Sequence, residues 1–415
     1  MSPDDMDVKF LLFTCNNRDV SHNLTYLSES SDWVNAGYNA SAITRFIVHG
    51  WLEQYPGSAF NYMEIMKDIF LNHSCVNVVA VDWSKPAKAV DYFQSAYNTR
   101  AVGQMIGCVI NRLAHDLGVN PQDIHLVGHS LGGHVVGFAG KTVTDPKVGH
   151  ITANDPAGPG FTGQPAKNRL AVGDATFVNV IHSNGIPPNG VPGLQGLGDL
   201  EALGNIDSYF NGAVLNLVLC SHVRSNNIAI NDQSYGQSTG CQPIGYHCTS
   251  YDDFMNGLCG DCGSDGKACR PMELNLDYWD NKNNWDIIDT NNKFYINTGD
   301  ARQSGYCLSH YQIVVSSGQS TCSGSLEIQL SDGSNVKMSL NSKHEIQTND
   351  GNQHYATLHT VANPLPITTT ATIKSQFGTN CIINEIKFNF MSNINESSHM
   401  PGIYLPIWRL KETSC

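Results

Sequence analysis

Residues 124–134 read Ile-His-Leu-Val-Gly-His-Ser-Leu-Gly-Gly-His, and this stretch limits the possible folds more than any other part of the chain. An apolar run (Ile124, Leu126, Val127) leads into G-x-S-x-G centred on Ser130, and small helix-compatible residues follow, among them Gly133, Val135, Val136, Gly137 and Ala139. Such a sequence favours a buried strand that turns sharply into a helix, with the serine exposed at the bend. Gly128 and Gly132 suit that bend because it leaves no room for a Cβ on either side of a strained residue. The hydroxyl then lies at a helix N-terminus, whose unsatisfied N–H groups favour negative charge developing nearby.

The rest of the chain supplies the setting. Its 415 residues suffice for two domains, and 41% hydrophobic with 15% charged residues describe an ordinary globular protein. No apolar run approaches the roughly 18–20 residues that span a bilayer. A net charge of −13 argues against nucleic acid as a partner and against purely electrostatic docking on anionic membranes. Thirteen cysteines and sequons at Asn23, Asn39, Asn72 and Asn395 point to an extracellular glycoprotein. The polar start, Met-Ser-Pro-Asp-Asp, has no signal-peptide core: either a leader lies outside this sequence or the protein is cytosolic, and the cysteine content favours the first. Cys108 lies in an apolar helical pattern and is expected to be buried and unpaired.

Up to about residue 290, short apolar runs alternate with helical patterns. Residues 46–48, 78–81, 126–127 and 177–182 read as buried strands, and 89–117 as the clearest amphipathic helix. Strand, helix, strand in this order implies a mostly parallel sheet with crossover helices. After Asn292 the segments 310–316, 326–330, 336–340, 355–361, 368–373 and 386–390 are short and separated by Gly, Ser, Asn and Asp, the pattern of an all-β sandwich. The expected division is therefore 1–292 and 293–415.

A serine hydroxyl is a poor nucleophile at neutral pH and needs a base, which needs an orienting acid. In α/β-hydrolases these follow the serine in the order Asp/Glu, then His. Asp155 comes just after a short apolar segment, at a strand end on the elbow's edge of the sheet. Its alternative is a turn-forming Asp before Pro156, and Asp174 and Asp207 compete. His222, in Cys-Ser-His-Val-Arg, follows in the right order, with His182 as rival. His129 and His134 are too close to Ser130 in sequence to reach round as the base. The oxyanion needs two N–H donors: Leu131 supplies one, and Trp51, after the strand 46–48 and the turn-permitting Gly50, is the candidate for the other.

Together these segments resemble the pancreatic lipase (lipoprotein lipase) family. The resemblance rests on FIVHGW (46–51), NVVAVDW (77–83), HLVGHSLGGHVVGFAG (125–140), NDPAGPGF (154–161), DATFVNVIH (174–182), CSHVRS (220–225), the cysteines at 248–269 and KFYINTGD (293–300). It implies an α/β hydrolase domain followed by a PLAT-like β-sandwich, which in the family helps engage lipid surfaces or a colipase-like cofactor. It supports Ser130, Asp155 and His222 as triad and Trp51 and Leu131 as oxyanion hole. It pairs Cys248 with Cys259 and Cys262 with Cys269. By guess, Cys15–Cys75, Cys220–Cys241, Cys307–Cys322 and Cys381–Cys415 complete the set.

The sequence departs from the family pattern at three places. Gly133 stands where the family usually has Ala. The family's structural calcium loop maps onto 166–174, but Ala166 and Ala171 replace two expected carboxylates. That leaves the Asp174 side chain and the carbonyls of Ala166 and Arg169, a sparse set for Ca²⁺. The flap is reduced to Ala213–Leu219, whereas the loop at 183–204 is full length; Val214–Leu219 and the 183–204 loop are expected to line an acyl groove, with ordinary loop packing as the alternative. The resemblance implies a secreted serine ester hydrolase acting on glycerolipids at a lipid–water interface, a triacylglycerol lipase needing no cofactor for its chemistry. The short flap makes a phospholipase A1 or galactolipase the alternative. A non-catalytic lipid-binding or yolk-type protein is the second.

Overall fold

The computed structural model describes the chain apart from residues 1–2, 59–60, 90, 186–195, 214–220, 231–242, 273–275, 277–279, 286–291, 300–307, 319–321, 347–349, 351, 362–364, 366–370, 378–380, 392–402 and 406–415. The chain gathers into two compact units, Met1–Gly240 with Met272–Lys293 and Cys241–Pro271 with Phe294–Cys415.

The first unit is built on strands β1 (Lys9–Phe13), β2 (His22–Leu24), β3 (Thr44–Val48), β4 (Asn77–Asp82), β5 (Ile124–His129), β6 (His150–Asn154), β7 (Phe177–His182) and β8 (Ile206–Phe210). They stand in the order β8-β7-β6-β5-β3-β4-β1-β2. β3 to β8 run parallel, and β1 is antiparallel to both of its neighbours. Every residue of β3 to β8 is buried, which explains the short apolar runs within β3, β4 and β5.

Register decides where the chemistry gathers. Val48 lies beside Gly128, His129 beside Asn154, and Asn154 beside Ile181. The residues that leave β3, β5, β6 and β7, namely His49, Ser130, Asp155 and Ser183, therefore emerge along one edge of the sheet. Ligands of open α/β sheets bind at that carboxyl edge.

After α1 (Ser30–Asn35), α2 (Tyr62–His73) and α3 (Ser84–Ala87) come the two helices that hold the central strands. The amphipathic segment forms α4 (Tyr92–Leu117), started by the Asp91 side chain accepting the Phe93 N–H at 2.9 Å and ended at Gly118 with φ 69°. It buries Val102, Met105, Ile106, Val109, Ile110 and Leu113, each worth about 1.5–3 kcal/mol over exposure. Its partner is α5 (Leu131–Thr142), which starts at the elbow. Gly103 and Gly107 let the two helices approach: a Cβ there would lie 2.5 Å from the Phe138 Cβ and 2.4 Å from the Thr142 Cβ. Cys108 forms no disulfide and, contrary to expectation, is exposed. It falls between the inward positions 106 and 109, on the face turned from the core.

In the second unit a five-stranded and a three-stranded antiparallel sheet share one core. Strands at Ser309–Ser316, His354–Val361 and Glu385–Met391 belong to the first; Gly324–Leu330, Asn335–Leu340 and Ala371–Phe377 form the second. Ile313, Val315 and Phe388 meet Leu326, Ile328 and Met338 between them. Asn335–Leu340 alternates exposed and buried along its length, as a strand with one wet face should. Residues 241–271 cluster with this unit and contribute the pairing of Ile244–His247 with Cys269–Pro271.

Disulfides join Cys15 to Cys75, Cys248 to Cys259 and Cys262 to Cys269. The fourth joins Cys322 to Cys381, which overturns both Cys307–Cys322 and Cys381–Cys415. The two residues precede strands of facing sheets and bring their Cα atoms within 4.8 Å. Cys220, Cys241, Cys307 and Cys415 lie outside the described residues.

Candidate active site

Ser130 sits between β5 and α5 at φ 56° and ψ −122°, a conformation costing about 1–3 kcal/mol for a residue with a side chain. The surroundings enforce it. Its N–H donates to the Asn154 carbonyl at 3.0 Å, while its own carbonyl accepts from Gly133 and Ala157 at 3.0 and 3.2 Å. The flanking glycines are obligatory: a Cβ on Gly128 would stand 2.2 Å from the Gly132 carbonyl oxygen, and one on Gly132 2.4 Å from that of Val48. Gly133 is a milder case, since its Cβ would lie 3.1 Å from the Pro156 Cβ.

Asp155 leaves β6 with φ 44° and is fully buried. One carboxylate oxygen accepts the N–H groups of Ser183 and Asn184 at 2.8 and 3.0 Å, and the other faces His222 Nδ1 at 2.6 Å. A carboxylate fixed by three donors orients the imidazole through Nδ1, leaving Nε2 for proton transfer. His222 lies in the helical stretch 221–230, which the Ser183 hydroxyl ties to the sheet edge by donating to the Ser221 carbonyl at 2.8 Å. Burial pushes the His222 imidazole below its ordinary 6.5, against the opposing pull of Asp155. Its ring centroid lies 4.8 Å from that of His129, the neighbour of Ser130.

The rival residues are engaged elsewhere. His182 faces the Asp199 carbonyl at 2.6 Å through Nδ1 and Asp207 at 2.9 Å through Nε2, so neither nitrogen is left for proton transfer. Asp207 also accepts from Leu203 at 2.8 Å. His134 bonds the Ala157 carbonyl and the Leu170 N–H, and burial drives it down to about 3.

The turn after β3 brings Gly50 against the nucleophile: a Cβ on Gly50 would lie 2.9 Å from that of Ser130. Trp51 is anchored by its indole N–H, which donates to the Ala89 carbonyl at 3.3 Å, and by an edge contact with Tyr92 at 5.2 Å. Among the described residues, the backbone N–H groups of Trp51 and Leu131 have no hydrogen-bond acceptor. Sequence reading missed Glu53, whose carboxylate accepts the Gly50 N–H at 2.7 Å and the Tyr62 hydroxyl at 3.0 Å. An acid two residues after a candidate oxyanion donor was the available signal.

The residues of the calcium loop do not fit the ion. One Asp174 oxygen is taken by the Lys141 ammonium, and the other accepts the Ala171 N–H at 2.9 Å. The Ala166 carbonyl accepts from the Arg169 N–H at 3.4 Å, and the Arg169 guanidinium pairs with Glu201 at 3.3 Å. The Lys141 ammonium thus takes the one side-chain ligand that the loop offers, and among the described residues no cluster of three His, Cys, Asp or Glu suited to a metal occurs. Residues 186–195 and 214–220, most of the expected acyl-groove segments, lie outside the described residues.

A family model described as Lipase matches residues 1–216. The chain is 33% identical to the pancreatic triacylglycerol lipase of Myocastor coypus, covering 76% of this chain and 69% of that protein. It is 32% identical to pancreatic lipase-related protein 2 of Rattus norvegicus, with 72% and 65% covered. Lipase member H of Danio rerio is also 32% identical, with 76% and 68% covered. The chain spans about two thirds of the length of these relatives. By its elbow, its sheet and these matches, the chain belongs to the lipase family, with the pancreatic lipases and their relatives.

Proposed function

We propose that this protein is a serine carboxyl-ester hydrolase that cleaves triacylglycerols at a lipid–water interface. Ser130 Oγ attacks the acyl carbonyl while His222 Nε2 takes its proton, and Asp155 holds the resulting imidazolium. The N–H groups of Trp51 and Leu131 receive the oxyanion, and the loss of one such donor costs about 10²–10³ in turnover. The tetrahedral adduct collapses to an acyl-enzyme as the glycerolipid alcohol leaves with the proton from His222. Water, deprotonated by His222, then releases the fatty acid. No metal takes part in this scheme. The observation that carries it is the 2.6 Å contact of a fully buried Asp155 with His222, beside the strained serine of the elbow.

The relatives named as triacylglycerol lipases favour that substrate over phospholipid, which the short flap alone had kept open. The chemistry is assigned to residues 1–292 and engagement of the lipid surface to the β-sandwich within 293–415. Secretion fits the disulfides. Parallel assays on a triolein emulsion and phosphatidylcholine micelles test the substrate. Faster release of oleate from triolein is expected, and exclusive cleavage of the phospholipid would overturn the assignment.

A further inference from the structure

One side chain that the scheme above does not use meets both the turn after β3 and His129, whose ring packs on that of His222. Glu53 is largely buried, with its side chain 11% exposed, and a single oxygen, Oε2, gathers its contacts. That oxygen accepts the Gly50 N–H at 2.7 Å, closing the turn Gly50–Glu53 from the side-chain end, and the Tyr62 hydroxyl at 3.0 Å. The turn needs closing, because Leu52 within it is held at φ 60°. The same oxygen faces His129 Nδ1 at 3.5 Å. On its other side His129 presents Nε2 to the His222 carbonyl at 3.3 Å, and its ring packs on that of His222. Tyr62 braces the assembly with an edge contact on His129 at 5.6 Å.

We infer that Glu53 is a positioning residue that fixes the Trp51 N–H over the nucleophile and, through His129, the backbone of the general base. The inference rests on the triad and oxyanion roles proposed above. Donors aimed at a developing charge act only if they are held in place before it appears, so a loosened turn weakens transition-state binding more than ground-state binding. Burial alone would raise the Glu53 carboxyl, but the facing His129 and the Gly50 N–H hold it down at about 2, so the clamp is an anion throughout the working range. An ionised acceptor also makes the stronger hydrogen bond to a backbone N–H.

The test compares Glu53→Ala, Glu53→Gln and Ser130→Ala in hydrolysis of p-nitrophenyl butyrate, with inhibition by a phenylboronic acid, which forms a tetrahedral adduct on an active serine. Glu53→Ala is expected to lower kcat about ten- to a hundredfold with KM within about threefold, and to weaken the boronic acid in parallel. Glu53→Gln, which keeps an oxygen for the Gly50 N–H, is expected to recover most of that loss. Should Glu53→Ala fail to fold, Tyr62→Phe, which frees the carboxylate on one side, takes its place with a smaller loss of the same kind. A folded Glu53→Ala with wild-type kcat and boronate affinity, or one changed in KM alone, would overturn the inference while an inactive Ser130→Ala left the triad standing. An active Ser130→Ala would instead remove the reading on which it rests.

Discussion

Asp155–His222 and His182–Asp207 show how environment, not residue type, separates a working pair from a structural one. Both are buried Asp–His contacts at one sheet edge, at 2.6 and 2.9 Å. His182 spends both ring nitrogens on protein acceptors, whereas the one contact at His222 Nδ1 leaves Nε2 for chemistry. Replacing Asp155 by Asn keeps an acceptor for the Ser183 and Asn184 N–H groups but no longer enforces the tautomer. Turnover should fall about 10⁴-fold, as it does for the equivalent change in a serine protease triad, with little loss of folded protein by circular dichroism. Near wild-type turnover in this variant, with Asp174→Asn inactive, would reassign the acid. The His222 imidazole works in its neutral form and burial holds it below 6.5. The kcat/KM profile should therefore rise with pH through a midpoint below 6.5 and stay flat above it; a midpoint well above 7 would contradict that environment.

At the scale of elements, the loop 166–174 is tied down by side chains where the resemblance implied an ion. Lys141 on α5 meets Asp174, which is 6% exposed, and Arg169 meets Glu201. Burial raises the Asp174 carboxyl to about 6 despite Lys141, and lowers the Lys141 ammonium, so each charge depends on the other. Lys141→Met leaves a buried carboxylate without its partner and should cost about 2–3 kcal/mol in chemical denaturation. EDTA should leave the melting temperature of the wild type unchanged. A large fall on chelation, reversed by added Ca²⁺, would show that a divalent cation holds the loop after all. Elements also differ in how legible they are in the sequence. The elbow, α4 and the strands β3, β4, β5 and β7 announce themselves because burial on both faces leaves an apolar run and burial of one stripe leaves a helical period. The Gly103 and Gly107 contact on α5 was missed, because close helix approach shows only as small residues at the spacing of one turn. Glu53 was missed because a turn-closing carboxylate has no period at all.

For the whole molecule, the order of motifs along the chain carried more than any one motif. Ser130, Asp155 and His222 are far apart in sequence, yet parallel strands in matched register deliver the first two to one edge, and the loop after β7 pins the helix that brings the third. Cysteine pairing was the least legible feature: the family resemblance served the short loops 248–259 and 262–269 but not Cys322–Cys381, which depends on how two sheets of one sandwich face each other. Intact-mass measurement after treatment with a fluorophosphonate ester tests the convergence of the three side chains most directly. A single adduct is expected on the peptide carrying Ser130 and none in Ser130→Ala, with labelling slowed by about 10³-fold or more in His222→Ala. An adduct that persists in Ser130→Ala, or His222→Ala labelled at the wild-type rate, would contradict that convergence.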